Sequence, residues 1–92
     1  MDLDQLPGGD LVRTGVADLE RRTESVEALL VSMALRQLRA LGLEVASPIE
    51  SPELKLYRRL EVELGDEAAH SRYNALRRRL VSFIKTAQCA TP

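Results

Sequence analysis

The chain has 92 residues, 45% of them hydrophobic and 29% charged, with one cysteine, no tryptophan and a formal net charge of −1. That length allows one domain with a small core, burying only about 60–65% of its unfolded surface. It excludes a disulfide framework; no run approaches the roughly eighteen uncharged apolar residues of a membrane-spanning helix, and the charge gives no bulk attraction to nucleic acid.

The opening MDLDQLPGGD is acidic and broken by Pro and Gly, unlike a secretion signal, so a reducing, cytoplasmic setting is expected for the single thiol. Residues 1–9 lack periodicity and read as a flexible N-terminal arm, loose or partly docked. Asp10 is the expected N-cap of a first helix over 10–22, its carboxylate accepting from free N–H groups. Leu11, Val12, Val16 and Leu19 recur at helical steps, with Asp18, Glu20, Arg21 and Arg22 outside. Gly15 interrupts this helix at a cost of about 1 kcal/mol against Ala. A neighbouring helix crossing closely there explains it; a break into two short helices is the alternative.

Residues 25–41, SVEALLVSMALRQLRAL, are the most apolar continuous stretch. Val26, Leu29, Leu30, Met33 and Leu41 share one broad face, which Val31, Leu35 and Leu38 extend, and the polar arc is left to Ser32, Arg36 and Arg39. A helix apolar over more than half its circumference needs neighbours on several sides. The segment is therefore expected to be the central helix of a four-helix bundle, beginning at Thr23 or Ser25 and ending at Gly42 in a left-handed cap.

Pro48 and Pro52 bar helix from the following link, which Ile49 is expected to tack to the core. Ser51-Pro52-Glu53 reads as a hydroxyl N-cap, a first-turn proline and a first-turn carboxylate, opening a helix over 52–64 with Leu56, Tyr57, Leu60 and Leu64 on one side. Gly65 closes it. The last helix, 67–87, stacks Ala69, Tyr73, Leu76, Leu80, Phe83, Ile84 and Ala87 on one stripe, and residues 89–92 read as a frayed tail. The expected fold is all-α: a single domain over 10–88 with helix 25–41 at its centre.

The most distinctive stretch is AHSRYNALRRRL, residues 69–80. His70 is the only histidine, so a catalytic role would need a carboxylate such as Asp66 or Glu67 one turn earlier. Cys89 lies away from any scaffold that would hold it against His70, and the ligands for a metal site are too few. No cofactor is expected. Residues 67–88 carry five basic side chains and one acidic one, making His70, Arg72, Arg77, Arg78, Arg79 and Lys85 the candidate contacts for an anion such as a nucleic-acid phosphate. Three consecutive arginines point about 100° apart, however, and cannot make one stripe.

Apolar helix surface in excess and few convergent polar groups lead to a non-catalytic protein that acts by protein–protein contact. It is expected to be a homodimer, or a helical subunit or regulator of another protein. Because the last helix outruns the one before it, Leu80, Phe83, Ile84 and Ala87 are the expected contact residues. Nucleic-acid binding through residues 67–87 is the alternative, and an enzyme centred on His70 the third possibility.

Overall fold

Ala28, Leu29, Leu30 and Val31 are four consecutive residues, all buried. The structure, a computed structural model, describes residues 2–90; Met1 of the expected arm and Thr91 and Pro92 of the expected tail lie outside the described residues. Within these the helices are α1 (Gly9–Glu20), α2 (Val26–Met33), α3 (Leu35–Ala40), α4 (Pro52–Leu64) and α5 (Asp66–Ala90), with a 3₁₀ turn at Leu3–Gln5 and no strand. The all-α class is as expected, and α2 packs against α1, α4 and α5. The long dimension of 42 Å is set by α5, whose 25 residues span about 37 Å.

The stretch 25–41 is not one helix. At Ala34 (φ −109°, ψ 28°) the ladder is interrupted and the chain divides into α2 and α3. The physical cause lies one turn earlier. Ser32, expected on the polar arc, is buried, and its hydroxyl donates to the Ala28 carbonyl at 2.9 Å. Such a back-bond competes with the helix ladder and bends it. The same oxygen accepts the Ile49 N–H at 3.0 Å, which ties the proline-bounded link to the core. Beyond the bend, Leu38 still enters the core while Arg36, Gln37 and Arg39 face water. Gly42 ends α3 as expected: at φ 94° its N–H reaches the Arg39 carbonyl and the Leu43 N–H the Leu38 carbonyl, the paired bonds of a Schellman cap.

Helix α1 runs unbroken through Gly15, because this is where it lies against α2. A Cβ at position 15 would overlap the Glu27 carbonyl oxygen and a Val31 methyl. The link between the two helices is held by a side chain expected to be outside. Asp18 is buried and accepts from the Ser25 hydroxyl at 2.7 Å and from Arg21. Ser25 in turn caps α2, its oxygen accepting the Ala28 N–H at 3.0 Å. Asp10 is not the N-cap of α1; Gly8 holds that position, and the Asp10 carboxylate instead meets Arg79 of α5. The N-terminal segment is docked and not loose, since Leu3 and Leu6 pack against the core.

Ser51 precedes α4 but does not cap it through its hydroxyl: it sits in the left-handed region (φ 50°), which turns the side chain away from the first-turn N–H groups. Helix α5 begins one residue after α4 ends, making a tight hairpin, and continues through Gln88 and Cys89 to Ala90, past the expected end at 87. Its stripe of Ala69, Leu76, Leu80, Phe83 and Ala87 is buried within this one chain. The four residues expected at a subunit contact are therefore not a free surface: Leu80, Phe83 and Ala87 are covered and Ile84 is half-buried. The cover the sequence reading lacked comes from α2 and from the start of α1, where Gly8 lies against the Arg79 carbonyl and the Phe83 side chain.

Gly15→Ala is expected to destabilise the fold by up to about 2 kcal/mol net, since overpacking of the α1–α2 crossing costs about 1–3 kcal/mol against a gain of about 1 kcal/mol in helix propensity. Thermal denaturation measures it, and an unchanged or higher melting temperature would show that the helices do not meet there. The Ser25 hydroxyl, and after it Arg21, hold the Asp18 carboxyl below the ordinary range. A carboxylate depressed in the folded state stabilises above its unfolded pKa of about 3.9 and loses that contribution as pH falls through the folded value. Melting temperatures taken between neutral pH and pH 2 should thus fall more steeply on the acid side in wild type than in Asp18→Asn.

Candidate functional site

All the large apolar side chains left exposed among the described residues lie on one hairpin: Leu54, Val62 and Leu64 on α4 and Val81 on α5. Val62, at 87% exposure, stands alone among Lys55, Arg58, Arg59 and Glu63. The same hairpin carries an aromatic and basic seam where its two helices meet. The chain has only two tyrosines and one histidine, and the hairpin gathers all three. Tyr57 of α4 stands edge-on to Tyr73 of α5 at 5.5 Å between ring centres and to His70 at 6.5 Å. Arg77 sits 5.9 Å over the Tyr73 ring, a cation–π distance. Expected in the core, both tyrosines are instead half-buried, with ring edges reaching the surface.

His70, Asn74 and Arg77 follow one another at four- and three-residue steps, which puts them on one flank of α5. The polar partner of His70 is the Asn74 amide, 3.3 Å from its Nε2. An amide orients the ring but neither takes nor gives a proton at neutral pH. Asp66 and Glu67, the carboxylates the sequence offered to His70, make no hydrogen bond to it.

The six residues expected to contact an anion do not converge. Arg79 is turned to the opposite side of α5, where its Nη2 holds both Asp10 oxygens at 2.9 and 3.2 Å. Arg72 and His70 stand apart. The remaining three, Arg77, Arg78 and Lys85, line one shallow hollow with Asn74, Val81 and Ser82. None of these three cations makes an ion pair among the described residues. Arg59, a possible addition from α4, is engaged by Glu24 and Glu63 at 3.6 and 3.7 Å.

A second hollow on α5 was not foreseen. At the hairpin tip Leu64, Gly65, Asp66, Glu67, Ala68 and Ser71 surround it, with two acids and no base. A hydrogen bond that the protonated Glu61 carboxyl donates to Asp66, then burial and the Asp66 charge, raises the Glu61 carboxyl above its ordinary value, so carboxyl groups crowd this end. A signal for both hollows was present in the sequence: at about 100° per residue Glu67, Asn74, Arg78 and Lys85 fall on one line down the helix, opposite the buried stripe. A further hollow, lined by Leu19, Arg22, Thr23, Glu24, Ser47, Pro48 and Ile49, has no aromatic group.

Among the described residues no group of three or more His, Cys, Asp or Glu side chains is placed to hold a metal ion, and Cys89 is an exposed thiol on α5. No helix among them is long and apolar enough to cross a membrane. Compared with protein-family models, curated proteins and solved structures, the chain matches none.

Proposed function

We propose that the protein is a non-catalytic interaction module that binds another protein chain through the outer face of the α4–α5 hairpin. The observation that carries this reading is that, among the described residues, every exposed large apolar side chain lies on that hairpin, which also holds the Tyr57–Tyr73–Arg77 cluster. Apolar area left in water forgoes about 25 cal/mol per Å² that burial would return. Tyrosine and arginine are the residue types that most often anchor protein contacts, because they offer a large rigid surface with a polar end. The partner is a second copy of the chain or a larger protein to which this one is subunit or regulator, in a reducing compartment such as the cytoplasm where the Cys89 thiol persists.

The unpaired hollow of Arg77, Arg78 and Lys85 favours a second reading, contact with nucleic-acid phosphates. The two readings separate on salt, since phosphate binding weakens steeply with ionic strength in proportion to the phosphates neutralised.

A photo-crosslinking residue placed at Leu54 or at Val81 should couple the protein to a partner in cells, whereas the same residue at exposed Thr14 of α1 should not. Val81→Glu, at an exposed site where substitutions typically change stability by less than about 0.5 kcal/mol, should abolish the coupling from Leu54. Equal protein coupling from Thr14 and Leu54 would sink the reading, and coupling to nucleic acid alone would replace it with the second.

A further inference from the structure

The two hollows on the outer face of α5 are of opposite charge and lie end to end. One, at the hairpin tip, carries Asp66 and Glu67 beside exposed Leu64; the other carries Arg77, Arg78 and Lys85 around exposed Val81. Leu64 is 48% exposed and Val81 44%, so each hollow has one apolar side chain of similar accessibility. The hollows are separated by the short stretch from Ser71 to Asn74, which carries no acid on the outer line. From Ser71 back to Glu67 is four residues, and from Asn74 on to Arg78 is four; Leu64, the last residue of α4, stands in the tip hollow with Glu67 as Val81 stands in the basic hollow with Arg78. The face is its own complement under a two-fold rotation about an axis between Ser71 and Asn74.

We infer that the partner of this face is a second copy of the chain, paired antiparallel along α5 so that the acidic tip of each copy sits in the basic hollow of the other. Glu67 then meets the partner's Arg78, and the tip hollow, with Leu64 as its apolar member, comes against the partner's hollow, whose apolar member is Val81. This deepens the interaction reading above and rests on it. A two-fold contact is isologous and closes at two copies, so one patch satisfies both chains and nothing propagates. Position 67 lies in the first turn of α5, and the three cations belong to its middle and second half. No like charges fall on the axis. The strip of α5 from residue 66 to 85 is about 29 Å long and about one helix wide, small beside the roughly 800 Å² per partner of a standard stable interface. The dimer is accordingly a dissociable one, dependent on its charges and weakened by salt, because exposed charges are screened over about 10 Å at 0.1 M.

Sedimentation equilibrium on the full chain from about 1 µM to 1 mM, in low and in 0.5 M salt, tests this. The wild-type mass should rise from 10.2 kDa toward twice that value, with the dissociation constant at least about tenfold higher in 0.5 M salt. Glu67→Arg and Arg78→Glu should each be monomeric across the range, while the double variant, and an equimolar mixture of the two single ones, should dimerise again. Circular dichroism of each variant checks that the helices are intact; Arg78, exposed in mid-helix, avoids the disturbance of a helix start that reversal of Glu67 brings. A wild-type mass held at 10.2 kDa overturns the second-copy assignment and leaves a different protein as partner, which the crosslinking experiment decides separately. A dimer indifferent to either charge reversal overturns the face. Binding of a labelled single-stranded oligonucleotide by a monomeric protein, lost in Arg78→Glu and kept in Glu67→Arg, overturns it in favour of phosphate contact.

Discussion

The fold depends on the close approach of α1 to α2 at Gly15. With four consecutive residues buried, α2 cannot face water on any side, and each neighbour must come within side-chain reach of it. Helix α1 does so by presenting backbone: Gly15 lies on the Glu27 carbonyl and the Val31 methyl, and Val12 and Leu19, three and four residues away, close over the crossing on either side with almost no exposure. Packed helix axes ordinarily stand 8–10 Å apart, the distance set by the side chains between them. The Asp18–Ser25 bond belongs to the same constraint. It holds a short link in the one geometry that lets two antiparallel helices meet at a glycine, and one serine oxygen serves both the helix cap and the buried carboxylate.

A second consequence concerns the mismatch between α4 and α5. Thirteen residues reach about 20 Å and twenty-five about 37 Å, so α4 shields only the first half of α5. The second half is covered by α2 and by the segment that leads into α1, with the Asp10–Arg79 pair fastening the α1 end to α5. The apolar stripe of α5 is thereby consumed inside the chain, and what α5 offers to the outside is its opposite, charged side. This moves the surface available for association by about half a turn of the helix. The outward surface of α5 is thus a charged one and not the apolar seam.

The polar side chains of α5 divide by the same geometry. Arg79 faces α1 and is neutralised there; Arg77 lies on the tyrosine edge; Arg78 and Lys85 stand on the outer line with no acid in reach. The cationic run visible in the sequence thus does three different things. The neighbours of the histidine are likewise an aromatic edge, that of Tyr57, and the Asn74 amide.

Much of this was legible from residue order, because helix periodicity, caps and close-packing glycines act over a few neighbouring residues. The all-α class, the bounds of α4, the caps at Ser25 and Gly42, the buried stripe of α5 and the close crossing at Gly15 all follow from local spacing. The break at Ala34, the burial of Ser32 and Asp18 and the docking of the N-terminal segment do not. Each depends on a partner remote in sequence or on a polar side chain that finds its hydrogen bonds only in the folded chain: Ile49 for Ser32, Ser25 for Asp18, Phe83 for the turn at Gly8. The candidate face divides in the same way. Its outer line of Glu67, Asn74, Arg78 and Lys85 is a matter of the helical repeat, readable from the sequence, but whether that line or the apolar stripe would remain exposed was decided by what packs on α5. Tertiary structure alone decides that, since burial is a property of neighbours and not of the segment buried.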